Sequence, residues 1–229
     1  MRARMHIFPM ALLTAALTVT TVSAQETPRT RAQSTLPADV FAQVDAAVQA
    51  AEREGIPGDL LYNKALEGAA KRVAPDRLLP AVDAYAGRLR QARGAFGPDA
   101  QGPLLVAGAD ALQRGVGAEL LRGLGQSADR SPMACLVLAD LVETGIGGDY
   151  ALSLVREALQ RRAREQQMLD MPAQVRRLMR QGQSAQDAVE QVRRGLQRQR
   201  GGGMVPPVAP GAEPMTRERR GGGGGVQGR

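Results

Sequence analysis

Gly145-Ile146-Gly147-Gly148-Asp149-Tyr150-Ala151 has two siblings in this 229-residue chain: Gly55-Ile56-Pro57-Gly58-Asp59-Leu60-Leu61 and Gly115-Val116-Gly117-Ala118-Glu119-Leu120-Leu121. The shared pattern is Gly, β-branched apolar, two small residues, acid, apolar. Each copy follows a stretch with helical periodicity, and each position has a physical job. The leading Gly suits the C′ site of a helix end, where a left-handed backbone penalises a Cβ. Ile56, Val116 or Ile146 then falls at C″ and folds back on C3, which is Ala51, Ala111 or Leu141. Asp59, Glu119 and Asp149 open the next helix, where a carboxylate can cap free N–H groups and meet the positive end of the dipole. The recurrence therefore encodes helix, tight turn, helix.

A fourth junction, Gly182-Gln183-Ser184-Ala185-Gln186-Asp187, keeps the Gly, replaces the apolar C″ residue by Gln183, and adds a capping-box-like Ser184-x-x-Asp187. The four glycines are spaced by 60, 30 and 37 residues, too irregular for a strict repeat array. Stacked helical hairpins or an irregular bundle fit better.

Outward from these turns the period stays near 3.6. Val40, Phe41, Val44, Ala47, Val48 and Ala51 form one apolar stripe, and Leu78, Val82, Tyr85, Leu89 and Ala92 another. Strand alternation with β-branched enrichment is absent from the sequence. Pro75 and Ser131-Pro132 read as helix starts. The stretch from Met133 to Val142, whose one charge is Asp140, reads as the central helix. The expected class is all-α, with about eight short helices in helical hairpins.

The ends differ in kind. Residues 1–24 carry Arg2 and Arg4, a mostly apolar run from Ile7 to Val22, and Val22-Ser23-Ala24 before Gln25, which is the three-part pattern of a cleaved signal peptide. The expectation is a secreted or periplasmic chain with no transmembrane segment and no lipid-bearing Cys near the cleavage point. Gln25–Thr35 reads as a short, polar, flexible segment, and residues 36–200 as the helical domain. Residues 201–229 hold ten Gly and four Pro and read as a disordered tail, because they offer too little apolar surface to offset ordering entropy.

Composition excludes much chemistry. The single His6 lies in the leader, so the mature chain has no imidazole for a catalytic triad or a His-ligated metal. Cys135 has no intrachain partner, and its neighbours Met133, Ala134, Leu136, Val137 and Leu138 mark it as a small buried hydrophobe rather than an exposed reactive thiol. No carboxylate cluster has ligand spacing, so neither metal nor cofactor is expected. Gly123-Leu124-Gly125-Gln126-Ser127-Ala128 matches G-x-G-x-x-A in form, but without the preceding strand that a dinucleotide site requires.

Two features remain as candidate sites. Lys64, Glu67 and Lys71, spaced by three and four, share a helix face and include the chain's two lysines. Glu67 is either a general acid of the kind used by histidine-free glycan hydrolases or lyases, or the middle of an exposed salt-bridge ladder. Flanking cations favour the ladder by holding the carboxyl ionised, and Gly68 beside it suggests a closely approaching helix.

The second feature is charge asymmetry. From Gln25 to Asp149 there are 13 Lys+Arg against 16 Asp+Glu, whereas from Tyr150 to Arg229 there are 15, all Arg, against 7. They cluster as Arg156, Arg161, Arg162 and Arg164, then Arg176, Arg177 and Arg180, then Arg193, Arg194, Arg198 and Arg200. Arg161, Arg162, Arg176, Arg177, Arg180, Arg193 and Arg194 are the candidate contact set for an anionic envelope polymer or an acidic partner protein, since guanidinium forks pair with phosphate and carboxylate. An ordinary solvated face is the competing explanation. Specific nucleic-acid binding is not expected, because the mature aromatics Phe41, Tyr62, Tyr85, Phe96 and Tyr150 all lie upstream of the clusters. Apolar stripes at Leu152, Val155 and Leu159 (Ala151–Gln167) and at Ala188, Val189, Val192 and Leu196 (Ala185–Arg200) read as core, with self-association through them as the alternative. A non-catalytic binding or structural role is the functional expectation, and no oligomeric state is assigned.

Overall fold

The computed structural model describes residues 26–127 and 131–198. These form ten helices and no strand: α1 Pro28–Thr35, α2 Ala38–Arg53, α3 Asp59–Ala70, α4 Pro75–Phe96, α5 Gly102–Gln113, α6 Ala118–Gly125, α7 Pro132–Glu143, α8 Gly148–Gln160, α9 Glu165–Arg180 and α10 Ala185–Arg198. The all-α class expected from periodicity is what the chain adopts. The leader and the Gly/Pro-rich tail expected to be disordered lie outside the described residues.

Two compact units are present. The first is built on residues up to Arg53 together with Pro57–Ala84, the second on Glu54–Ile56 and residues from Tyr85 onward, so α4 begins in one and ends in the other. In the first unit α1 and α2 both pack on α3, around buried Val40, Val44, Val48, Leu61, Tyr62 and Ala65. Gln25–Thr35, expected to be flexible, instead supplies α1. Thr27 caps it by accepting from Thr30 N–H at 3.2 Å, Ala32 is fully buried, and Arg29 Nε donates to Asp45 Oδ1 at 3.1 Å. Local composition carries little helix signal there, and the order comes from tertiary contacts.

The second unit is a stack of hairpins. Helices α5, α7 and α9 pack successively in one layer, α6, α8 and α10 in the other, and α7 touches α5, α6, α8 and α9. Its central position matches the reading of Met133–Val142. From Leu104 to Val116 and from Ala134 to Ile146, 30 residues on, the pattern of buried, half-buried and exposed positions is identical residue for residue.

The turns explain this regularity. Gly115 and Gly145 have φ of +92° and +90°. Val116 N–H donates to Ala111 O (2.9 Å) and Ile146 N–H to Leu141 O (3.3 Å), while Gly115 and Gly145 N–H donate to Leu112 O and Val142 O. These are the two bonds of a Schellman turn, closed on the C3 residues expected from sequence. Gly182 (φ +89°) repeats the arrangement, with Gln183 N–H on Leu178 O at 3.2 Å. Ser184 Oγ then accepts from Asp187 N–H at 3.1 Å and starts α10. The acids after the other glycine turns sit in the first turn of α3, α6 and α8, yet the N-cap residues Gly58, Gly117 and Gly147 make no side-chain cap bond. In the first turn those carboxylates meet the positive end of the helix dipole.

Two further turns have no glycine. Arg72 and Arg162 occupy the left-handed region at φ +56° and +52°. Val73 N–H reaches Gly68 O and Ala163 N–H reaches Ala158 O, both at 2.9 Å. Arg162 is why the expected helix Ala151–Gln167 is two helices, with α8 ending at Gln160 and α9 opening at Glu165.

Candidate functional site: an arginine-lined groove between α8 and α10

The arginine clusters separate once folded. Arg161 and Arg193, 32 residues apart, meet through Glu157, itself 19% exposed. Arg161 Nε donates to Glu157 Oε1 at 2.9 Å, Gln197 Nε2 reaches the same oxygen at 3.3 Å, and Arg193 Nε lies 2.8 Å from Oε2, off the line of a hydrogen bond. The two terminal nitrogens of Arg193 go to Glu190 and, at 2.8 Å, to Ser153 Oγ. Together with Arg156 and Gln160 these side chains line an open groove of about 570 Å³. The hairpin geometry makes it: Arg156 projects from α8, Arg161 from the C-cap that ends it and Arg193 from α10, whose Ala188, Val189 and Val192 are buried.

The other candidate arginines do not join this groove. Arg162 is exposed in its left-handed turn, and Arg176, Arg177 and Arg180 are exposed along α9. Arg176 lies close enough to Glu143 to help hold that carboxyl below its usual range, after the larger effect of Arg114's hydrogen bonds. Arg194 donates to Glu190 O at 3.3 Å. Among the described residues, Arg156, Arg162, Arg164, Arg176, Arg177, Arg180 and Arg198 have no carboxylate within ion-pair distance, a contrast with α5–α7. There Arg114 bonds Glu143 and Asp140 and lies 3.7 Å from Asp110, and Arg122 pairs with Glu119.

Part of the C-terminal arginine content is architectural. Matched at their turn glycines, α9 aligns with α7 at an offset of 37 residues, so buried Met171, Val175 and Leu178 take the places of Ala134, Leu138 and Leu141. Buried Val137 and Ala139 are instead replaced by exposed Gln174 and Arg176, and buried Leu154 of α8 by exposed Gln191 of α10. Among the described residues no further hairpin packs on this side, which therefore needs a polar surface. That requirement does not extend to Arg162 and Arg164, which sit in the link between hairpins.

The Glu67 ladder forms as a ladder. Lys71 and Lys64 (2.9 Å) both donate to Glu67, which is 44% exposed. The Lys71 bond and then the Lys64 bond pull its carboxyl down to about 2. A group held ionised this firmly is a poor proton donor near neutral pH. Gly68 does meet a neighbouring helix: a Cβ there would lie 3.1 Å from Leu78 Cδ1. The ladder rims an apolar cavity of about 130 Å³ over Val73, Leu78, Ala81 and Val82.

The glycines of the formal G-x-G motif serve packing. A Cβ on Gly125 would lie 2.4 Å from Ala95 O, and one on Gly123 2.7 Å from Leu152 Cδ2. Cys135 is fully buried, and burial pushes its thiol up to about 12, leaving it inert. Val155, Leu159, Ala188, Val189 and Val192 go to the core, as the stripes implied. The exposed large apolar residues lie elsewhere: Val106 and Leu136 at equivalent positions of α5 and α7, Leu169 on α9 and Tyr150 on α8. No described helix is long and apolar enough to cross a membrane, and no group of three or more His, Cys, Asp or Glu among the described residues could hold a metal ion. No protein-family model, curated protein or solved structure matches the chain.

Sequence reasoning identified Arg161 and Arg193 but not Glu157, Ser153 and Gln160, and it grouped Arg156 with Arg161 without placing it in the candidate contact set. A helical i, i+4 pairing of Glu157 with Arg161 was available in the sequence; the convergence with α10 depends on the hairpin.

Proposed function

We propose that this chain is a secreted or periplasmic, non-catalytic helical binding protein that holds an anionic partner against its C-terminal hairpins, either an anionic envelope polymer or an acidic protein. The observation that carries this reading is the set of exposed arginines of the α8–α9 link and of α9, Arg162, Arg164, Arg176, Arg177 and Arg180, with no carboxylate at ion-pair distance among the described residues. Guanidinium groups left in water keep their forks available, and each can pair with phosphate or carboxylate through two hydrogen bonds. Among the described residues of the acid-rich α5–α7 stretch, Arg114 and Arg122 are paired.

The competing reading, a glycan hydrolase or lyase using Glu67, has less support, because the lysines that flank Glu67 favour its ionised form. The binding reading is tested by retention on heparin and on cell-envelope material. Retention should fall steeply with added salt, as counterion release requires, and should weaken when Arg176, Arg177 and Arg180 are changed together to Ala. Absent or salt-insensitive retention rejects it.

A further inference from the structure

We infer that the α8–α10 groove is a discrete site for a dianionic phosphoryl group, a phosphate monoester carried on a larger molecule. The inference rests on the reading above only in taking the arginines as ligand-facing, and it uses different residues from those tested there.

Charge is the first argument. The groove is lined by Arg156, Arg161 and Arg193 against the single carboxylate Glu157, with Ser153 and Gln160 neutral. The lining thus carries a net charge of +2, or +1 when Glu190, which bonds Arg193 from outside it, is counted, a cationic excess that attracts the charge of about −1.5 to −2 of a phosphate monoester at neutral pH.

Donor geometry is the second. Glu157 engages Arg161 only through Nε, so the two terminal nitrogens of that guanidinium make no contact among the described residues. Arg156, five residues earlier on α8, has no bond to any described group. Arg193 is immobilised by Glu157, Glu190 and Ser153, and contributes fixed positive charge rather than a free edge. Two open guanidinium edges beside a fixed third cation suit a tetrahedral oxyanion, whose oxygens point in several directions, better than a flat carboxylate. Glu157 pairs with Arg161 and Arg193 and offsets part of the cationic charge of the groove.

Size is the third. The groove is open to solvent and spans about 570 Å³, so a phosphoryl group can reach the arginines while the molecule that bears it stays outside.

The test is calorimetric titration of the full chain with phenyl phosphate, phenyl sulfate and benzoate at low salt. Saturable binding is expected for phenyl phosphate, with phenyl sulfate and benzoate weaker because each carries a single charge. The paired change R156Q and R161Q should weaken phenyl phosphate by about tenfold or more, with the helical signal unchanged. Glu157→Gln, which removes the opposing carboxylate, should raise affinity several-fold. The triple change at Arg176, Arg177 and Arg180 should leave phenyl phosphate binding intact even where it abolishes retention on polymers, so the two proposals fail separately. Vesicles of phosphatidylcholine with phosphatidic acid distinguish a lipid source from a soluble one, and capture sensitive to R156Q and R161Q identifies the lipid. The proposal is overturned by phenyl phosphate failing to saturate below about 10 mM, by benzoate binding equally well, or by Glu157→Gln lowering affinity.

Discussion

At the residue scale, left-handed positions govern where helices stop. Gly115, Gly145 and Gly182 face open space, since a Cβ on any of them would meet no atom within 4 Å. Gly145→Ala should therefore cost about 1 kcal/mol through backbone strain alone. Gly125→Ala, which drives a Cβ into Ala95 O, should cost more than about 2 kcal/mol. Arg162 has the opposite problem, a side chain on a left-handed residue, and Arg162→Gly should raise stability by about 0.5 kcal/mol once the added freedom of the unfolded chain is deducted. Urea denaturation of the three variants checks both signs. The turns at Gly115 and Gly145 were legible in the sequence down to their C3 partners, Ala111 and Leu141, because glycine is the residue that such a backbone selects. Arg72 and Arg162 were not, because nothing in an arginine announces a positive φ.

At the element scale, polar clasps decide which helices stay docked. Helix α1 has little apolar surface, and its attachment runs through Asp45 of α2. That carboxylate accepts Tyr62 O–H at 2.5 Å, Gln49 Nε2 at 2.8 Å and Arg29 Nε at 3.1 Å, while Phe41 stacks on the Tyr62 ring. The Tyr62 bond, foremost, and Arg29 hold the Asp45 carboxyl below its usual range; burial, then Asp45, pushes the Tyr62 phenol up to about 12. A carboxyl depressed by folding contributes stability that is present above its unfolded value near 4 and lost as pH falls through the lower folded value. Amide exchange in α1 should thus accelerate below about pH 4 before that of α7 does. Tyr62→Phe should produce the same fraying at neutral pH, at a cost of about 1 kcal/mol. Uniform protection of α1 and α7 through the acid range would contradict this account. Such a clasp joins residues 16 and 17 positions apart across three helices, which explains why Gln25–Thr35 looked featureless when read along the chain.

At the scale of the whole molecule, the two compact units divide the chain's properties. The first holds the lysine ladder and the Asp45 clasp, the second the hairpin stack and the arginines. The all-α class and the centrality of α7 were readable because each depends on local periodicity and on turn residues, although ten helices are present among the described residues where about eight were expected. The groove was not: Arg156 and Arg161 reach Arg193 only through the pairing of α8 with α10, and sequence clustering pointed equally to Arg176, Arg177 and Arg180, which lie on a different helix. The finished outer side of α9 and α10 has a consequence for how such a chain can change length. A hairpin added beyond α10 would have to bury Gln174, Gln191 and Arg176, whereas one inserted between α8 and α9 would meet apolar neighbours on both sides. Tandem duplication of residues 132–164 should therefore give a folded protein with a sharper, later thermal transition, and the same segment appended after α10 should dangle and fall to protease. Growth of this stack is an internal affair: new copies enter between α8 and α9, and the arginine-bearing hairpin keeps its polar outer side.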